Sequence, residues 1–478
     1  MPNTDIAIVW FRRDLRLTDH PALHEAVTDH AQVIPLYLHC PPDVWAPGGA
    51  SDWWLHHSLA ALDDSLQQLG SRLTLQRGDP LAALLALADT TGAGTVYWHH
   101  LPEPAERRRD DAIAAGLTDA GITVRRANGS LLNVPGSVTT GSGTPYKVFT
   151  PYWRSVRRAL DVPAPLPAPP TISTPAVPAS LPLDQLELLP KIDWDSGLYA
   201  TWTPGEAGAS KRAAHFLAGP VDDYHVQRDL PATDGVSMLS PHLHFGEISV
   251  RTLWHQASAR PANDGIETFQ TELGWREFSH EILSAFPHTP DAPMNPKYAH
   301  FPWRSDDEAA PLISAWQRGQ TGIPIVDAGM RQLWHTGWMH NRVRMIVASF
   351  LVKNIRAHWL HGARWFWDTL VDADLPANTM GWQWSAGSGA DAAPYFRIFN
   401  PVRQGERFDA SGAYVRHWVP EIAGVPDKYL HSPWTLPAKY QDHCGFVPGR
   451  DYPLPIVDLS GSRQAALDAF AKLKEATA

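Results

Sequence analysis

Apolar and polar positions divide the chain into two parts of different periodicity. Over the first third, short apolar runs recur at Ile6–Phe11, Val33–Leu38, Leu73–Leu75, Thr95–Trp98 and Ile122–Val124. Such continuous runs predict strands buried on both faces. Helix-patterned segments separate them, clearest over Asp52–Leu69 and Ala105–Ala120. This alternation predicts an α/β domain over residues 1–135, a parallel five-stranded, Rossmann-like sheet covered by helices on both faces. No G-x-G-x-x-G follows the first run and no G-x-x-x-x-G-K-[ST] occurs, so the ordinary dinucleotide fingerprint and the P-loop are missing.

Residues 163–190 hold nine prolines. Proline lacks an N–H and resists helix and central-strand pairing, which predicts a stiff, exposed interdomain connector within 136–204. From about Gly205 onward apolar residues return every three or four positions. The clearest cases are Ser210–Leu217, Ile248–His255, Ile266–Ala285, Asp327–Leu333, Asn341–Asn354 and Arg364–Leu370. A mostly α-helical domain over 205–478 is expected, with a last short helix at Gln464–Ala476.

Composition narrows the function. The chain has 478 residues, 44% hydrophobic and 19% charged, enough for a large core. Its formal charge of −10 argues against a general nucleic-acid coat but leaves room for a local basic groove. Two cysteines, Cys40 and Cys444, exclude a disulfide scaffold and a cysteine-based zinc site. The N-terminus lacks a signal-peptide layout, and no apolar run approaches the ~20 residues that span a bilayer. A soluble cytoplasmic protein is expected. Tryptophan is in excess, 21 against 15 Phe and 12 Tyr, and ten of the 21 lie between Trp275 and Trp384. Packing explains such a cluster; so does stacking on a flat ligand, or carrying electrons.

Four segments of the second half concentrate chemistry. In Gly235–Gly246, Ser237 and Ser240 flank a loop running into Pro241, which suits phosphate oxygens or a plain helix cap. In Glu272–Phe278, helical spacing puts Glu272, Trp275, Arg276 and Ser279 on one face. That face could grip a base, or be a surface ion pair beside a packed indole. In Trp338–Met345, Arg342 and Arg344 cannot share a helix face and so serve different partners, while the i, i+5 spacing of His335 and His340 is poor for zinc. In Asp372–Trp384, two acids, Asn378, Gly381 and two Trp occupy a loop-like stretch. Asp372 is the natural partner for Arg344.

With these segments in order, the sequence resembles the photolyase/cryptochrome family, specifically the class I cyclobutane pyrimidine dimer photolyases. The likeness rests on Val9–His20 (VWFRRDLRLTDH), Thr321–Met345 and Trp382–Gly405, and covers nearly the whole chain. It implies an antenna-type α/β domain, a connector and a helical domain holding FAD. It implies FAD contacts from Tyr224, from Val236, Ser237, Met238, Leu239 and Ser240, and from Asn341, Arg344, Asp372, Ala373, Asp374 and Asn378. Asn378 would sit beside the reactive ring nitrogen. It implies light-driven electron transfer from reduced flavin to a pyrimidine dimer in UV-damaged DNA, with no net redox change.

The same resemblance assigns Glu272 to hydrogen bonding with the damaged base, Trp275 and Trp384 to the pocket walls and Met345 to its floor, around a flipped-out dimer. Arg228, Arg276, Arg342 and Gln404 would meet phosphates, with Asn341 nearby. Trp382, Trp359 and Trp303 match an electron relay running outward from the flavin, with Trp316 a competitor for its outermost position. The phosphate loop departs from the family's common T-S-R-L-S, reading Val236-Ser237-Met238-Leu239-Ser240. A second antenna chromophore, a folate or a deazaflavin, fits the resemblance but has no diagnostic motif. No metal and no membrane are expected, and the protein is expected to be a monomer. His340-Asn341 and Met345 argue against a (6-4) photolyase; Asn378 and the short C-terminus argue against a plant-type cryptochrome. A flavin electron carrier that binds no DNA would leave Glu272, Trp275, Met345 and Trp384 without a shared purpose.

Overall fold

The structure is a computed structural model describing residues 3–42, 44–177, 180–392 and 396–476. The five predicted strands form: β1 (Asn3–Phe11), β2 (Gln32–His39), β3 (Thr74–Arg77), β4 (Ala93–His99) and β5 (Thr123–Ala127). They build one parallel sheet in the order β3-β2-β1-β4-β5. Period-two alternation divides β1 between two cores. Ala7, Val9 and Phe11 meet helices α1 (Pro21–Asp29) and α2 (Gly49–Gln68), while Ile6, Ile8 and Trp10 meet α3 (Pro80–Thr91) and α4 (Pro104–Asp119). Burial on both faces is why β1 reads as an unbroken apolar run.

The proline-rich segment departs from expectation. It is not an exposed strut but is laid against the α/β domain. Val33 N–H donates to Ser173 O at 2.8 Å, Ile172 N–H to Leu69 O at 2.9 Å and Leu181 N–H to Leu75 O at 2.8 Å. Ile172, Leu186 and Leu188 are buried in the core around α2. Proline disqualifies a segment from the sheet interior, yet the residues between prolines keep their N–H groups and side chains.

Helix α5 (Phe149–Ala159) lies inside the expected connector and packs on the helical domain. Phe149, Tyr152, Trp153 and Val156 bury against Phe278 and Ile282 of the helix Asp264–Ala285. Gly274 on that helix admits the contact, since a Cβ there would meet the Trp153 indole at 2.6 Å.

The helical domain surrounds a core that includes Trp316, Val343, Val347, Trp359, Phe366 and Trp382. The expected helix Asn341–Asn354 is α-helical only over Asn341–Ser349, then widens into a π segment, Phe350–Ile355, closed by Arg356 at φ 57°. The loop-like stretch after Asp372 is a helix, Leu375–Ala386. Asp374 caps it, its Oδ1 accepting from Ala377 N–H at 3.1 Å, Pro376 sits in the first turn, and Gly387 ends it at φ 94°. Its residues face a cavity on one side and a core on the other, which removes the apolar stripe a surface helix would show.

Candidate active site

A cavity of about 710 Å³ opens in the helical domain. The helix Asp264–Ala285 supplies Glu272, Trp275, Arg276 and Ser279 to its wall, the predicted i, i+3, i+4, i+7 face. The helix Asn341–Ser349 supplies Asn341, Arg342, Arg344 and Met345. Asp372, Ala373, Asp374, Asn378, Trp382 and Trp384 enter from the segment that builds Leu375–Ala386. Tyr224, Arg228, Ser237 and Ser240 complete the expected set.

Six expected residues lie elsewhere. Val236 and Met238 pack against the α/β core and Leu239 is buried in the core below Phe269, so these side chains do not reach the cavity. Their backbone remains suited to an anion: Met238 is left-handed (φ 51°) and Leu239 right-handed, an alternation that turns successive N–H groups to one side. Gln404 is half-buried on the helix Pro401–Phe408, outside the cavity lining. Trp359 is 2% exposed in the core and Trp303 half-buried at its rim.

Charge is ordered inside the cavity. Arg344 Nη2 pairs with Asp372 Oδ2 at 2.8 Å, and Ser240 Oγ donates to the same oxygen at 2.6 Å. Arg342 pairs instead with Asp229 at 2.7 Å. Two arginines two residues apart thus serve different partners, as helical geometry required. Arg228 pairs with Glu272 at 2.9 Å. Burial pushes the Glu272 carboxyl above its usual range, against the pull of Arg228. Burial also opposes ionisation of Asp374, but hydrogen bonding from His244 and the charges of His280 and Arg276 overcome it and hold that carboxyl well below the ordinary range. Arg276 donates to Ser130 O at 2.8 Å, which ties it to the domain interface.

The cavity fits a flat cofactor that carries hydrogen-bond donors. Asp372 Oδ1 is buried with no hydrogen-bond partner, an acceptor waiting for a ligand donor. Asn378 donates Nδ2–H to Ala363 O at 3.0 Å, leaving Oδ1 for a group in the cavity. A Cβ at Gly381 would meet nothing within 4 Å, so the cavity beside Asn378 and Trp382 is open where a ring would lie.

Sequence reasoning missed several lining residues, including Phe149's support of the wall. Phe149 stacks on Trp275 with ring centroids 3.8 Å apart and an interplanar angle of 11°. His244, Asp391 and Arg397 also line the cavity; they lie in segments that stood out in the sequence, but no spacing distinguished them from their neighbours there.

One titratable cluster lies apart, in the α/β domain. Asp14, His20 and His99 converge with ligand atoms close enough for a metal ion. Their outer nitrogens argue against one. His20 Nδ1 accepts from Leu23 N–H and His99 Nε2 from Ala22 N–H, so the nitrogens facing Asp14 carry the protons. A metal-binding histidine has the opposite polarity, donating outward. The cluster reads as two imidazoles facing one carboxylate. His335, exposed against Trp418, and buried His340 do not converge.

Comparison with known proteins agrees with this geometry. Residues 7–170 match the family described as DNA photolyase, and residues 269–472 the FAD binding domain of DNA photolyase. The chain is 46% identical to the deoxyribodipyrimidine photo-lyase of Agrobacterium fabrum, over 98% of each chain. It is 38% identical to cryptochrome-1 of Arabidopsis thaliana, over 98% of this chain and 70% of that one. A crystal structure of a bacterial class III photolyase from Agrobacterium tumefaciens superposes with a TM-score of 0.95 at 46% identity, covering 99% of this chain and 98% of the other. The class I placement expected from sequence is not borne out by that likeness. Among the described residues no helix is long and apolar enough to cross a membrane. An α/β domain joined to a helical FAD-binding domain, with this cavity between the helices, identifies the chain as a member of the photolyase/cryptochrome family.

Proposed function

We propose that this chain is a light-driven DNA-repair enzyme that splits cyclobutane pyrimidine dimers in UV-damaged DNA, acting as a cytoplasmic monomer. One observation carries the reading. The residues expected to grip the lesion, Glu272, Trp275, Met345 and Trp384, open onto the same cavity as those expected to hold FAD, Asn341, Arg344, Asp372 and Asn378. An electron carrier with no DNA substrate has no need of the first set. The class III label of the Agrobacterium tumefaciens structure supports class III over class I for this chain.

Bound FAD supplies the light-driven electron that opens the cyclobutane ring. The chain positions and insulates. Arg344 and Asp372 form a fixed ion pair that would orient the flavin ring, and Asn378 Oδ1, left free by the bond from its Nδ2 to Ala363 O, would accept a hydrogen bond from it. Ser237, Ser240 and the backbone turn at Met238–Leu239 would meet the phosphates. Trp275, held flat by Phe149, and Trp384 enclose the dimer and exclude water. Glu272 hydrogen-bonds the pyrimidine edge, and Arg228 and Arg342 take flanking phosphates.

The test is direct. Purified protein, chemically reduced and illuminated, should restore the 260 nm absorbance lost when thymines dimerise. Failure of that recovery with FAD bound would overturn the repair assignment and favour light signalling.

A further inference from the structure

Trp303 and Trp359, two members of the expected relay, each touch one residue that no sequence motif assigns. The His358 ring lies 5.3 Å from Trp303, edge-on at 66°, and 5.6 Å from Trp359, stacked at 30°. Backbone contacts fix this stack. Arg304 N–H donates to Arg356 O at 2.8 Å and Arg304 Nε–H to Ile355 O at 3.0 Å, tying the segment that carries Trp303 to the turn that ends the π segment. Trp359 is buried and Trp303 half-buried, so the stack runs from core to rim.

We propose that His358 is the bridge across which an electron passes from Trp303 to Trp359, and that it serves only as the uncharged imidazole. The inference rests on the relay proposed for Trp382, Trp359 and Trp303. With light-excited oxidised FAD as the oxidant, Trp382 gives up one electron, Trp359 refills Trp382, and Trp303 refills Trp359. No bond is made or broken in these hops; one positive charge moves outward, and a thiol in solution finally returns one electron to Trp303, losing its proton to solvent and becoming a thiyl radical. An imidazolium in contact with both indoles would raise the energy of a cation on either.

The surroundings keep the ring neutral. His358 Nδ1 accepts from Leu360 N–H at 3.2 Å and thereby caps the helix Trp359–Thr369. A second proton would break that cap and place positive charge at a helix N-terminus. The groups facing His358 are Asp306, from the neighbouring helix Asp306–Gln317, and His361 and Arg364 of its own helix. Asp306 already pairs with His361 at 3.0 Å, and burial adds to the pressure against a charge.

Three variants of the holoprotein test this: His358→Phe keeps a flat neutral ring, His358→Lys fixes a charge there, and His358→Ala removes the bridge. The readout is the yield of long-lived indole radical after a flash at pH 7.5, with FAD content measured alongside. Phe should stay within about twofold of wild type, and Lys and Ala should fall by about tenfold or more. A Lys variant equal to wild type overturns the bridge. So does a histidine-labelled NMR titration showing His358 protonated at pH 7. Trp303→Phe separates the two levels: if it leaves the radical unchanged, the relay itself fails, and if it abolishes the radical while Lys does not, only the bridge fails.

Discussion

Arg228 Nη2 lies 2.9 Å from Glu272 Oε2 in the cavity wall, and both side chains are about a quarter exposed. The two groups expected to bind phosphate and pyrimidine are therefore bound to each other. Each must leave its partner, or share it, when DNA enters.

Glu272→Ala should reduce lesion affinity by about tenfold, the worth of one charge-assisted hydrogen bond, while FAD stays bound. Titrating a dimer-containing oligonucleotide into both proteins checks it. Equal affinity and equal repair yield would remove Glu272 from recognition.

Trp382→Phe should block light-driven reduction of oxidised FAD and spare repair by chemically reduced protein. Trp382 is 2% exposed and lies against Gly362, where a Cβ would meet its ring at 2.0 Å, so the variant keeps an aromatic in a tight site. Bleaching of the flavin band under blue light decides the matter.

Gly381→Leu should empty the cavity without unfolding the chain. The position is a helix interior with free space beyond it, so replacing Gly removes about 0.5–1 kcal/mol of helix penalty while the side chain fills the ring's place. Purified protein should be colourless with an undiminished melting temperature. A yellow protein would place the ring elsewhere.

Arg344→Met should both weaken FAD retention and destabilise the fold by about 2 kcal/mol. Asp372 is buried and would be left uncompensated; Arg344 is a quarter exposed, which halves the usual cost of breaking a buried pair. Denaturant unfolding of the two proteins gives the number.

Stability should fall as pH drops from about 6.5 to about 4. Burial pushes His280 and His340 down to about 4. Their folded values lie below the unfolded one, so the unfolded chain binds more protons across that window. The contribution is full above 6.5 and lost as pH falls, by about 3 kcal/mol per histidine. His280→Gln should flatten the curve measured by chemical denaturation; an unchanged slope would show His280 titrating normally.

Legibility of the sequence tracked the physical source of each feature. β1 could be read because both its faces are buried. Glu272, Trp275, Arg276 and Ser279 could be read because a helix fixes their spacing. The helix Leu375–Ala386 could not, since its caps, Asp374, Pro376 and Gly387, and its mid-helix Gly381 are turn-forming types. Val236, Met238 and Leu239 follow the family pattern by position, yet their side chains obey local packing. The pairing of Phe149 with Trp275 had no local signal at all, being a contact across more than a hundred residues of chain.

That last contact has a consequence during synthesis. Phe149 leaves the ribosome long before Trp275, so the early part of the chain presents an uncovered aromatic while the second half is still being made. The α/β sheet can close first, from local strand–helix units. The pocket cannot be finished until the helix Asp264–Ala285 returns to that ring. Until then Phe149, Tyr152 and Trp153 stay uncovered as a sticky face.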